Sequence, residues 1–225
     1  MPPNKQPLTE QRITTAAIAL LDLSGVGALT MRRLGSDLGV EAMSLYKHVA
    51  SKDQLLEQVV EHMISEIKVP AANENWRKAI HDRAQSAREV LTRHPWAIGL
   101  MESRATALPA TRTYLDRMLG ILSNNGFAIE RAASTLWLTD SFVYGHVIQE
   151  INLTSSVSEQ VPKAVDTAGG EPHLYPYLVA LENYAQINTF GFDTQFTQGL
   201  ESILNAVESR LLETTSEREP ESPSP

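Results

Sequence analysis

The amino-acid sequence predicts an all-α protein: a three-helix N-terminal head built on a helix-turn-helix, carried by a larger helical body, with about nine to ten helices in all. Three observations predict it. Apolar residues recur at helical spacing along almost the whole chain, with no convincing strand alternation and no internal repeat. Helix starts carry their own signals, clearest at Ser51 and Gln54, whose S-x-x-Q spacing is that of a capping box. Finally, residues 30–56, TMRRLGSDLGVEAMSLYKHVASKDQLL, read as helix, tight turn, helix and the start of a longer helix, with the turn at Gly39.

Taken in order, residues 1–7 hold three prolines and are expected to be a disordered arm. A first helix of about 9–24 places Ile13, Ala17, Leu20 and Leu21 on its buried face. Thr30 caps the next helix, because its hydroxyl can accept from the free N–H groups there. Met31, Leu34 and Leu38 share one face of that helix, and Val40 fills the space before the next. A short helix of about 42–49 turns Leu45 and Val49 inward and shows Ser44, Lys47 and His48 outward. The fourth helix, about 52–68, aligns Leu55, Leu56, Val59, Met63 and Ile67. Its start belongs to the head and its end to the body, so residues 8–68 are expected to form the head with its linking helix.

The body is expected over 69–213. Pro70 and the polar stretch 71–75 mark the break. Helices of about 76–93, 96–103 and 110–124 follow, punctuated by His94-Pro95, Pro109 and Asn125-Gly126. Segment 129–153 is apolar on more than one side and requires burial on several faces. A Ser-, Pro- and Gly-containing stretch of about 154–172 reads as a loop, and helices of about 174–189 and 193–213 close the body. Residues 214–225 are rich in Ser, Glu and Pro and are expected to be a disordered tail.

Composition narrows the class. The 225-residue chain has 42% hydrophobic residues, enough for a real core, and no cysteine, which excludes disulfides and thiolate metal sites. Its N-terminus lacks the apolar core of a signal peptide, and no run approaches a membrane span, so a cytoplasmic protein without membrane association is expected. Net charge is −8, but residues 1–52 hold six basic and four acidic residues and stand at +2, leaving −10 on the rest. A mildly basic head on an acidic body suits a DNA-binding domain joined to something else. A helix-turn-helix lays its second helix in the major groove. Lys52 fits this use: a cation is unfavourable in the first turn of a helix unless a phosphate sits at that end.

Leu29-Thr30-Met31-Arg32-Arg33-Leu34, Leu38-Gly39-Val40 and Leu45-Tyr46-Lys47-His48-Val49 with Lys52 resemble the TetR family of transcriptional regulators. Trp76, His94-Pro95-Trp96, Asn125-Gly126-Phe127, Gly145 to Glu150, and Phe192-Asp193 through Gly199-Leu200-Glu201 are similar to runs of its tetracycline-repressor branch, over about residues 8–212. The resemblance implies a homodimer that binds double-stranded operator DNA and a small-molecule effector. It implies that Arg32 reads a guanine and that Ser44, Tyr46, His48 and Lys52 touch bases or backbone, which suits their chemistry. Thr30 and Lys47 complete the polar set. Ala42 stands where the branch has a base-reading Gln and is followed by Met43; both offer only apolar contact, for example to a thymine methyl, so a different operator is expected.

The resemblance implies that the drug-binding positions of that branch fall at Lys68, Arg83, Met101 and Met118, with Met101 in place of a magnesium-organising His. The candidate effector residues are Trp96, Met101, Arg104, Met118, Leu122, Trp137, Ser141 and Tyr144, a mostly apolar set with a few orienting groups. No metal and no cofactor is expected. Phe196, Leu200, Ile203 and Val207 are the candidate dimer stripe, with Gly199, Ser202 and Ala206 permitting close approach. An enzyme is the alternative class, since Asp140, Ser141 and His146 resemble catalytic side chains in type. Adjacent helical residues do not face each other, and phosphate loop, nucleophile elbow and metal-spaced His pair are all missing from the sequence, so no catalytic residue is assigned. A helical ligand-binding or interaction protein without operator binding is the remaining alternative.

Overall fold

The computed structural model describes residues 7–104, 108–158, 175–177, 179–180 and 191–216, with backbone alone at 154–158 and 212–216. Among them are nine α-helices and no strand: α1 (Glu10–Ser24), α2 (Met31–Leu38), α3 (Ala42–Leu45), α4 (Lys52–Glu66), α5 (Trp76–Arg93), α6 (Ala97–Arg104), α7 (Pro109–Asn124), α8 (Ile129–Ser158) and α9 (Phe192–Ser216). The helix expected over 174–189, the arm at 1–6 and the tail beyond 216 lie outside the described residues, apart from short helical pieces near 176–180. Two compact units divide the chain, 1–144 and 145–225, and the cut falls inside α8.

Helix starts follow the capping chemistry. Thr9 accepts from Arg12 N, Thr30 from Arg33 N, Ser51 from Gln54 N, and Asn75 from Arg77 N and Lys78 N. Gln54 reaches back to the N–H of Ala50, one residue before the cap, so the capping box closes slightly upstream of its usual partner. Helix ends deviate more. The second short helix stops at Leu45 instead of 49, and residues 46–48 form a turn. α8 runs five residues past the expected 153, and α9 three past 213. Ser and Thr are mild helix disfavourers, and no Gly or Pro interrupts 154–158 or 214–216, so polarity alone does not stop the helix.

In the first unit the head core is Ile13, Ala17, Leu21, Leu29, Leu34, Leu45, Val49, Leu55 and Val59, all fully buried. α4 packs against α1, α5, α6 and α7. Its apolar stripe, Leu55, Leu56, Val59, Val60, Met63 and Ile64, is buried along its length. Ion pairs fix it at both ends: Asp53 with Arg104 of α6 at 2.9 Å, and Glu66 with Arg93 of α5 at 2.8 Å. Past its end, Lys68 donates its backbone N–H to Ser86 Oγ at 3.0 Å and its ammonium to Asp82 at 2.7 Å. Hydrogen bonds from Lys68 and Lys78 hold the Asp82 carboxyl well below the usual carboxylate range.

A second tie joins α1 to the body. Asp22 Oδ1 accepts from the Trp96 indole N–H at 2.6 Å and lies 2.7 Å from His94 Nδ1. The His94 and Trp96 rings meet edge-on at 5.8 Å. Asn125 does similar work between α5 and α7: its side-chain oxygen accepts from Trp76 N and its amide donates to Glu74 O.

In the second unit, Phe196, Leu200 and Leu204 are fully buried and Val207 nearly so. The His146 ring lies 5.1 Å from that of Phe196 and 6.2 Å from that of Phe192. This alters the reading of the α9 stripe. Phe196, Leu200 and Val207 belong to the interior of a single chain, because an i, i+4 row faces one way only. Of the four candidate interface residues only Ile203 keeps partial exposure, beside exposed Ser202 and Ala206.

Candidate functional site

The residues expected to face DNA lie on α2, on α3, around the turns that flank them and, for Lys52, at the start of α4. Gly39 ends α2 in the left-handed region at φ 67°, ψ 34°, where a side chain is strained. The same turn brings α2 against the start of α3. A Cβ on Gly35 would stand 2.9 Å from Val40 O and 3.1 Å from Ala42 N, both backbone atoms. The two helices approach closely at this residue. Beyond it, Met43 is 71% exposed and Tyr46 43%, so neither belongs to the head core. Arg32, Lys47 and Thr30 are exposed, and Ala42, Ser44, His48 and Lys52 are part-exposed. Sequence reasoning missed Gly35, though a glycine inside an eight-residue helix is itself a signal of close packing.

The body half of the first unit carries a partly open cavity of about 250 Å³. α4 supplies Ile64, with Ile67 just past its end; α5 supplies Arg83 and Ala87; α6 Met101 and Glu102; α7 Thr111, Tyr114 and Leu115; α8 Trp137, Asp140 and Tyr144. Of the expected effector residues, the cavity gathers Met101, Trp137 and Tyr144. Five others lie elsewhere. Trp96 is bound to Asp22 and Arg104 to Asp53. Met118 and Leu122 are fully buried core, and Ser141 is exposed. A helical stripe identifies a face but not the partner that face meets.

The chemistry of the cavity lies in a buried network. Arg83, with its side chain 4% exposed, donates Nε to the Tyr114 hydroxyl and Nη2 to Asp140. Burial opposes the Arg83 charge, but Tyr114 and Asp140 outweigh it and the guanidinium stays protonated. Burial, reinforced by the Asp140 charge, pushes the Tyr144 phenol up, and burial raises Tyr114 as well. Asp140, the acid of the catalytic-looking trio, is thus engaged with Arg83 while Ser141 faces solvent. No cluster of three or more His, Cys, Asp or Glu able to hold a metal occurs among the described residues.

Comparison with known proteins settles the family. Residues 13–59 match the model of bacterial regulatory proteins of the tetR family, and residues 69–211 match the tetracyclin repressor-like C-terminal domain. The chain belongs to the TetR family. This TetR-family regulator is 32% identical over 176 residues to an HTH-type transcriptional regulator of Saccharopolyspora erythraea, covering 78% of this chain and 71% of that one. It is 27% identical to the HTH-type transcriptional repressor DrrR1 of Streptomyces coeruleorubidus, covering 96% and 83%. Among solved structures it is similar to ActR of Streptomyces coelicolor in complex with actinorhodin, at a TM-score of 0.71 and 27% identity, covering 92% and 99%. The regulator is therefore a ligand-responsive DNA-binding protein of a family of transcription factors, not of enzymes. No helix among its described residues is long and apolar enough to cross a membrane.

Proposed function

We propose that this regulator is a cytoplasmic repressor that holds a palindromic operator as a homodimer and is released by a small, largely apolar organic effector bound in the cavity. One observation carries the reading. α4 is a single helix whose first residue, Lys52, stands in the head beside the helix-turn-helix, and whose last turn puts Ile64 on the cavity wall. A ligand that favours one setting of the cavity thereby favours one setting of the head, and it shifts the equilibrium only by its differential affinity for the two. The similarity to ActR, solved with actinorhodin, supports an organic effector. Met101 on the wall supports metal independence, since a thioether is a soft ligand ill suited to magnesium. An electrophoretic shift on DNA upstream of the protein's own gene tests the reading: binding that aromatic compounds release in EDTA supports it, and no binding to any such DNA overturns it.

Two heads on a two-fold axis require half-sites about 34–36 Å apart or a multiple of it. Arg32→Ala should cost about 1–3 kcal/mol of operator binding and relax preference at one base pair, whereas Lys52→Ala should weaken all sequences alike and shallow the salt slope by about one unit. Equal loss of discrimination in both variants would remove the division into base-reading and phosphate-binding roles. For the dimer, the face of α9 around Ser202, Ile203 and Ala206 is proposed as part of a self-complementary patch. Ile203→Asp should yield folded monomers that no longer shift operator DNA; sedimentation as a dimer would place the interface elsewhere.

A further inference from the structure

Two polar atoms in the walls of the 250 Å³ cavity are buried without a hydrogen-bond partner among the described residues: Arg83 Nη1 and Thr111 Oγ1. Arg83 has already directed Nε to Tyr114 and Nη2 to Asp140. A guanidinium carries only donors and does not lose its proton, so nothing but an acceptor can satisfy Nη1. A threonine hydroxyl takes either role. The surroundings limit what that acceptor belongs to. Ile64, Ile67, Ala87 and Leu115 give the cavity apolar walls, and Trp137, 70% exposed, stands at its open side. The charged groups among its described lining residues are Arg83, Asp140 and the exposed Glu102, and Arg83 is already paired with Asp140. An anionic ligand would bring an unpaired negative group beside that neutral pair. The volume is also below the roughly 300–1,000 Å³ usual for drug-sized ligands, which favours a compact compound.

We propose that the effector of this cavity is a compact, uncharged aromatic carbonyl compound whose oxygen accepts from Arg83 Nη1, with Thr111 making a second polar contact. The proposal rests on the cavity being the effector site. The probes are 9-fluorenone, fluorene and 9-fluorenone-2-carboxylate, one ring frame with a ketone, without it, and with an added charge. Each is titrated into the full-length protein by tryptophan fluorescence and calorimetry. The ketone should bind at least tenfold more tightly than the hydrocarbon and more tightly than the carboxylate. Thr111→Val should weaken the ketone several-fold, leave fluorene unchanged, and melt no lower than the parent. Equal binding of ketone and hydrocarbon, tighter binding of the carboxylate, or no saturable binding of any of the three overturns the proposal. The promoter-DNA shift is run in parallel. A shift without ketone preference overturns this ligand chemistry alone. Ketone preference without any shift supports the ligand chemistry and overturns the repressor reading instead.

Discussion

Asp140→Ala should lower the unfolding free energy by about 3–5 kcal/mol, the usual cost of removing one partner from a buried pair. Arg83 is the reason. Its side chain is 4% exposed, it remains protonated, and Asp140 is the carboxylate that balances it. Losing Asp140 leaves the buried cation with the Tyr114 hydroxyl as its remaining hydrogen-bond acceptor among the described residues. Urea unfolding of the parent and the variant measures the loss. The double variant Arg83→Met, Asp140→Leu separates the charge effect from packing, since replacing both members with apolar groups of similar volume is often neutral or stabilising. A single variant as stable as the parent, or a double variant no more stable than the single, would show that the pair does not govern the stability of this region.

Gly35→Ala should cost about 1–3 kcal/mol, as forced overpacking does, and should reduce DNA affinity by at least about tenfold. The added Cβ meets Val40 O at 2.9 Å and Ala42 N at 3.1 Å, and neither backbone atom can step aside without moving the turn. Because α3 begins at Ala42, the displaced atoms are those that aim Met43 and Tyr46. Gly27→Ala in the same head is the control, since a Cβ there meets nothing within 4 Å. Thermal melts and gel shifts on both variants check the contrast. An alanine at position 35 with normal DNA binding would mean that the helix-turn-helix tolerates a changed angle.

Much of the fold could be read from residues close together in sequence. Thr9, Thr30, Ser51 and Asn75 cap the helices they precede, and the hydrogen bond each makes spans two or three residues. The body site could not be read in this way. Arg83 meets Asp140 across 57 positions, and Asp22 meets Trp96 across 74. Periodicity places Met118, Leu122 and Trp96 on plausible faces. It does not say that Met118 and Leu122 go into solid core, or that Trp96 turns to the head. Of the polar pocket groups, Tyr144 stands among the expected effector residues and Arg83 at a matched drug-binding position, but the meeting of Arg83 with Asp140 showed only as two oddities: an arginine among alanines on α5 and an aspartate in an apolar stretch of α8. A buried charge requires a partner, and pairing such oddities with one another is the signal that was available.

The contact at Asp22 limits how the head can move. The head is joined to the body along α4, through the Asp53–Arg104 ion pair, and again where the Asp22 carboxylate receives the Trp96 indole N–H and faces the His94 ring. The Asp22 contact springs from α1 and not from α4, so a head that turns with α4 must either break it or carry residues 94–96 along. A cavity ligand that resets α4 therefore acts against this contact, and its strength sets part of the cost of every head movement.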